Sequence, residues 1–420
     1  MRGGGRTAIV AASLCGLCLL GKAAGAGAPS LAPTLSNPAM MVFSPPGLTT
    51  EIDVTAIGAS ATVNPISVSN PSIPNLLTSG GSGNMNRLRF TPSFRAVYRT
   101  DSDWAFGITS NSPYTQETLP RSNWAGMVYA RDTRIYTQNF KPQIAYQIAP
   151  WLNIGAGLQI QAMQADLSQA FQLSPGYGSL TFRGEGLDFG FALGMAVAVS
   201  PRTLVGLGYR SKIDQKLKGT ITRPEVPALA VQAVALPASF TLPMPDIVHA
   251  SLTHRLTGTW TLLGALEWTR WSRYGSIPIS VMPSGVFGIP SVLNGRWRDT
   301  WSVAGGAQYR WSTDIALRGG LMFETAATTD ITRTVSTSTA DHIQLLLGLT
   351  YELSPMLSLD IGYGHNFIRH VPVSVVPGNP SYTAAQGTVR GEASIAADSL
   401  RIGLRYYWGR NVRKKEFRPL

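Results

Sequence analysis

Apolar and polar residues alternate with a period of two along most of this chain, most plainly between Asp341 and Phe367. Ile343, Leu345, Leu347, Leu349, Tyr351 and Leu353 share one parity, and His342, Gln344, Gly348, Thr350 and Glu352 the other. Leu346 is out of step. After Ser354-Pro355 the pattern resumes, with Leu357, Leu359, Ile361 and Tyr363 against Ser358, Asp360, Gly362 and Gly364. Successive side chains of a strand point to opposite faces, so each half reads as a strand with one apolar and one polar face. A soluble sandwich and a membrane barrel both use such strands.

The connections between strands separate the two. Fourteen segments carry the pattern, centred on 50–64, 86–99, 103–112, 133–148, 151–163, 185–199, 202–218, 246–256, 259–274, 298–311, 314–324, 341–353, 356–367 and 395–408. Tight turns at 100–102, 149–150, 200–201, 257–258, 312–313 and 354–355 alternate with long connections at 65–85, 113–132, 164–184, 219–245, 275–297, 325–340 and 368–394. An up-and-down meander puts every short turn at one end and every long loop at the other, which is the signature of an outer-membrane barrel. Aromatics gather near strand ends (Trp104, Trp151, Tyr209, Trp260, Trp268, Trp311, Tyr351, Tyr406, Trp408), where an interfacial girdle belongs. The opposite parity holds Arg95, Gln159, Gln161, Arg210, Lys212, Glu267, Glu324, Asp360, Arg401 and Arg405, a polar lumen. The predicted fold is all-β, a 14-stranded antiparallel transmembrane β-barrel over 50–408.

Composition agrees. Of 420 residues, 44% are hydrophobic and only 14% charged, with 43 Gly. Residues 1–26 read as a signal peptide: Arg2 and Arg6, an apolar run from Ala8 to Leu20, then Ala24-Gly25-Ala26. That run is too short to span a bilayer as a helix, which needs about 20 residues. Both cysteines, Cys15 and Cys18, lie inside it, so disulfides, thiolate metal sites and a cysteine nucleophile are excluded from the mature chain. Much of the net charge of +12 sits in a basic tail, 409–420, assigned to the periplasm. An exported protein has no nucleic acid to meet. The tail therefore points to anionic lipid or to solvent.

Several stretches resemble the FadL family of outer-membrane transporters for long-chain fatty acids and aromatic hydrocarbons. They are NPA at 37–39, WAFGITSNSPY at 104–114, NFKPQIAYQIAPWLNIGAGLQIQ at 139–161, GYRSKIDQKLKG at 208–219, LPMPDIVHASLTHRL at 242–256, WTLLGALEWTRWSRY at 260–274, RGGLMFE at 318–324 and LDIGYGHNF at 359–367. The resemblance implies a passive uptake channel. Extracellular loops catch hydrophobic substrate, a luminal pocket receives it, and it leaves sideways or downward past an N-terminal plug. On that reading residues 27–49 are the plug (hatch) segment, and Asn37, Pro38 and Ala39 are gate residues. This segment is short and lacks the family's glycine- and alanine-rich start.

Two groups of candidate binding residues follow. Residues 226–245 are almost free of charge, so Leu229, Val231, Val234 and Leu236 offer an apolar capture surface. Arg210 and Lys212, of lumen-facing parity, suit a substrate carboxylate. The five histidines show no helical metal spacing, and no GxSxG context accompanies them. The expectation is a non-enzyme with no cofactor and no metal. Its partners would be a hydrophobic small molecule, outer-membrane lipid and lipopolysaccharide, and the barrel assembly machinery; it would act as a monomer. A general diffusion porin is the alternative, and an outer-membrane lipid hydrolase a remoter one.

Overall fold

A computed structural model of the chain describes residues 37–69, 82–84, 87–118, 124–129, 131–172, 177–225, 232–283, 292–335, 339–382 and 386–408. Fourteen staves run in sequence order. They are β1 (Gly47–Ser69), β2 (Arg87–Arg99), β3 (Trp104–Asn111), β4 (Thr133–Ala149), β5 (Leu152–Gln172), β6 (Tyr177–Ser200) and β7 (Thr203–Arg210, continued by Ile213–Arg223). Then follow β8 (Val234–Met244, continued by Ile247–Arg255), β9 (Trp260–Thr269), β10 (Thr300–Arg310), β11 (Ile315–Glu324), β12 (His342–Ser354), β13 (Leu357–Ile368) and β14 (Thr388–Trp408). Each pairs antiparallel with the next. β14 pairs with β1 from Trp408 opposite Leu48 to Thr388 opposite Ser69, so the sheet closes. Closure leaves no open edge, the condition for strands to cross lipid.

The parity read from the sequence assigns the faces. In β12 the side chains of Ile343, Leu347, Tyr351 and Leu353 are exposed on the outer wall, while Gln344, Leu346 and Thr350 are buried within. Trp104, Trp151, Trp260, Trp311, Tyr351 and Trp408 stand exposed near the short turns, a girdle at what is the periplasmic end of such barrels.

Two of the expected long loops are largely strand. β5 and β6 run to Gln172 and from Tyr177, and β7 and β8 form a hairpin reaching Arg223 and Val234. The reason is an inversion of the pattern. Beyond the apolar belt Met163, Ala165, Phe182, Leu217, Phe240 and Leu242 turn inward, while Gln164, Arg183, Glu185, Lys216 and Lys218 turn outward. Once a hairpin clears the bilayer its outside meets water, so its apolar face is the one that points in. β1 also begins earlier than expected, at Gly47 rather than Thr50.

The wall is interrupted between β3 and β4 and, higher up, through β6, β7 and β8. Between β3 and β4, Asn111 faces Asn139 but Gln116 faces Ile135, so four residues (112–115) oppose three and the chain bulges. Ser112, Pro113 and Tyr114 are buried there, and β2 pairs with β3 only over Phe94–Arg99. Higher up, β7 and β8 break at the same height, at 211–212 and 245–246. The β6–β7 ladder lapses between the Ala192–Arg210 and Glu185–Lys218 pairs. Side chains replace it: Ser211 Oγ accepts from Phe191 N at 2.8 Å, and Asp188 Oδ2 from Lys216 N at 2.6 Å.

Candidate functional site

The lumen is layered, and its periplasmic half is filled by two chemistries. On the β3–β7 side, Pro38–Phe43 form a 3-10 turn with Asn37 as its N-cap. Asn37 Oδ1 accepts from Ala39 N at 3.0 Å, and Nδ2 donates to Met195 O and Leu207 O at 3.0 and 3.2 Å. One amide thereby caps the turn and fastens it to β6 and β7. The turn can lie this close because the wall is glycine there. A Cβ at Gly194 would stand 2.0 Å from Asn37 Oδ1, one at Gly155 2.6 Å from Ala39 N, and one at Gly107 2.3 Å from the sulfur of Met41. Met40 packs with Ala196 and Leu204, and Met41 and Val42 with Val97, Ala105 and Ala145.

The facing wall, β10–β14 with β1 and β2, carries charge. Arg401 binds Glu51 at 2.7 Å and Asp53 at 3.1 Å. Arg405 bridges Glu51 at 3.1 Å and Asp360 at 3.0 Å. Arg95 also binds Glu51, and Arg318 lies 3.7 Å from Asp360 while donating to Gln308 Oε1 at 3.0 Å. Buried ions persist only where paired and hydrogen-bonded, and these are. Above this ladder lies an apolar layer of Ile57, Leu263, Ala304, Met322 and Leu346.

The extracellular half on the β4–β8 side is apolar and aromatic. Phe182 and Phe240 meet with ring centroids 4.8 Å apart and planes tilted by 54°, beside Leu217, Ile221, Leu242 and Met244. The segment after β9 folds inward, so that Trp271 meets Trp297 edge-on at 5.3 Å and Tyr274 stacks on Trp297 at 4.2 Å. Tyr114, brought in by the β3 bulge, meets Trp271 at 6.1 Å. Arg210 Nη2 donates to Tyr114 Oη at 2.6 Å and lies 5.4 Å from the centre of its ring. A second apolar cluster, with Trp124, Met127 and Val128 against Val373, Val389 and Ile395, fills the mouth beside β14.

The predicted residues divide among these places. Asn37, Pro38 and Ala39 sit in the glycine seat. Leu236 lies on the inner face of β8 against the apolar cluster, with Val234 at the strand's start. Leu229 and Val231 lie outside the described residues. Arg210 points inward, but Lys212 does not. The break at 211–212 shifts parity, leaving Ser211 and Ile213 buried and Lys212 exposed, paired with Asp214 at 3.1 Å. Its expected luminal side is therefore corrected. Tyr114, Trp271, Trp297 and Phe240 were not among the sequence candidates, although the inverted alternation of 234–244 pointed to Phe240.

A closed fourteen-stranded barrel with a filled periplasmic half and an aromatic cluster above it defines a class, outer-membrane β-barrel proteins. The family described as outer membrane protein transport protein (OMPP1/FadL/TodX) matches residues 8–403, and the chain belongs to it. Membership places the chain in the outer membrane of Gram-negative type. Among curated relatives, outer membrane protein P1 of Haemophilus influenzae is 23% identical over 310 residues, 66% of this chain and 65% of that one. The long-chain fatty acid transport protein of Escherichia coli K12 is 21% identical over 307 residues, 71% of this chain and 64% of that one. A 47 kDa outer membrane protein of Pasteurella multocida matches over half of each chain, so the chain spans about half to two thirds of these relatives. In fold it is similar to a Pseudomonas aeruginosa FadL homologue, with a TM-score of 0.79 at 21% identity, over 95% of this chain and 100% of that one. It is also similar to the Ralstonia pickettii toluene transporter TbuX, with a TM-score of 0.67 at 14% identity, covering 95% and 99%.

Proposed function

We propose that this protein takes up hydrophobic small molecules, long-chain fatty acids or hydrocarbons, passively across the outer membrane. The observation that carries the reading is the aromatic enclosure of Phe182, Phe240, Trp271, Trp297 and Tyr114, set inside the mouth above a filled periplasmic half. A wide water-filled lumen has no use for such a lining, whereas an apolar cargo gains by leaving water for it. The fatty acid transport protein and the toluene transporter among its relatives support the cargo class.

In this scheme Leu236 and its strand neighbours, with the apolar stretch that includes Leu229, Val231 and Val234, capture cargo at the mouth. Arg210 offers the inner wall's contact for a carboxylate, held ready by Tyr114. Lys212, on the outer face, takes no part. Asn37, Pro38 and Ala39 close the axial route, and the bulge at 112–115, beside the half-paired β2, supplies a sideways exit.

Two measurements test the proposal. Purified protein in a planar bilayer should show only small, intermittent conductance; a large steady pore would favour the general diffusion porin. Vesicles carrying the protein should admit toluene or a long-chain fatty acid faster than protein-free vesicles. Equal rates would remove the transport reading.

A further inference from the structure

Above the apolar layer on the β9–β13 side stands a group of polar side chains unused so far. Glu324 on β11 lies directly across from His342 on β12, and Gln344, two residues along on the same face, lies across from Asn366 on β13. All four are at most 2% exposed. His342 Nε2, both side-chain polar atoms of Gln344 and Asn366 Oδ1 have no hydrogen-bond partner among the described residues. Such groups are seldom buried unless something completes them.

The partners they do have fix what is left over. His342 Nδ1 lies 3.2 Å from Ala340 O, a carbonyl, so it carries the proton and leaves Nε2 as an acceptor. Asn366 Nδ2 donates to Ala397 O at 3.2 Å, leaving Oδ1 as an acceptor. Gln344 contributes one acceptor and one donor. The wall therefore wants a partner that donates and also accepts.

We propose that this wall is a subsite for the hydroxyl group of an otherwise apolar cargo, a refinement that rests on the transport function proposed above. A hydroxyl carries one donor and two acceptor lone pairs, which suits His342 or Asn366 on one side and the Gln344 amide on the other. A carboxylate brings no donor for His342 Nε2 or Asn366 Oδ1. An ammonium cannot accept from Gln344 Nε2, and a hydrocarbon satisfies none of the groups. Met322 and Leu346 stand on the same inner face, two residues from Glu324 and Gln344, where the apolar body of the cargo would rest.

The test is calorimetric titration of the intact, detergent-purified barrel with phenol, toluene and benzoate. Phenol should bind more tightly than toluene, and benzoate should gain nothing at this wall. Gln344→Met keeps the side-chain length and removes both polar atoms. It should weaken phenol by about tenfold, the scale of a lost buried hydrogen-bond partner, and leave toluene unchanged. If it fails to assemble, judged by heat-modifiable electrophoretic mobility, Asn366→Ala carries the same expectation. If phenol and toluene both bind but the assembled variant shifts neither, or both equally, the wall holds water only and the subsite is refuted. If none of the three binds wild-type protein, the transport function fails first, and the subsite with it.

Discussion

The two walls of the periplasmic half fill the same height of the lumen by opposite means. Gly107, Gly155 and Gly194 on one side, and Glu51, Asp360, Arg401 and Arg405 on the other, all lie within seven residues of the short-turn ends of their strands. The glycine wall works by shape. It clears room for a backbone turn and holds it with one amide. The charged wall works by pairing, its arginines and carboxylates answering one another across strands far apart in sequence. A shape-held element can leave its seat at the cost of a few hydrogen bonds and contacts, whereas a paired charge cannot leave without stranding its partner. On the proposed function, the turn is the part of the closure that moves and the ladder the part that stays.

Removing a shared charge should do the most damage. Arg401→Met leaves Glu51 and Asp53 short of their common cation, and breaking a buried pair in this way costs roughly 3–5 kcal/mol. Denaturant titration of the refolded barrel should show a loss of that order, with little change in conductance if unfolding is all-or-none. A stable variant with a large open pore would mean that the ladder, not the turn, is the gate.

Changes to the seat should come next, and they should read out differently. Gly194→Ala places a Cβ 2.0 Å from Asn37 Oδ1, so the turn must shift. Asn37→Ala removes the cap and both bonds to Met195 and Leu207, roughly 1–3 kcal/mol of local stability. Single-channel recording should show more frequent or larger openings in both variants, with barrel stability nearly intact. Silent recordings from both would refute the idea that Asn37, Pro38 and Ala39 gate the lumen.

The aromatic cluster comes third. Phe240→Ala removes one ring of the tilted pair with Phe182 and should weaken binding of an apolar cargo by roughly 1–3 kcal/mol, about tenfold or more, in a titration. Unchanged affinity would place the cargo elsewhere, with the cluster around Trp124 and Val373 the next region to probe.

How far the sequence revealed this follows from what period-two alternation encodes. It places side chains on faces, so the leucine row of β12, the girdle and most of the luminal charges were legible. It is blind to a break in phase, because one extra residue reverses every later assignment. It also misleads at 164–168, 179–184, 219–223 and 234–244, where polar residues outside and apolar residues inside read as loop although the period continues. The aromatic enclosure depends on residues such as Tyr114 and Trp271, which enter the lumen from a bulge and from a segment between strands, where periodicity carries no instruction. The seat could be suspected from NPA. Its glycines could not, since Gly107, Gly155 and Gly194 lie on three different strands with nothing local to join them.

The smallest predicted effect bears on that phase break most directly. Arg210 and Lys212 have one parity by count and opposite sides in the fold, Arg210 against Tyr114 within, Lys212 against Asp214 outside. An exposed pair of this kind contributes about 0–1 kcal/mol. Lys212→Ala should therefore leave both stability and fatty-acid binding within about 0.5 kcal/mol of wild type. Arg210→Met strips the inner wall of its guanidinium and leaves Tyr114 Oη without that donor. A fatty acid should then lose affinity relative to a hydrocarbon of equal length, since only the acid uses the charge. Comparison of the two variants with matched cargoes isolates the phase shift itself. Equal loss from both would put Lys212 inside the lumen and the β7 strand in unbroken register, against the burial of Ser211 and Ile213.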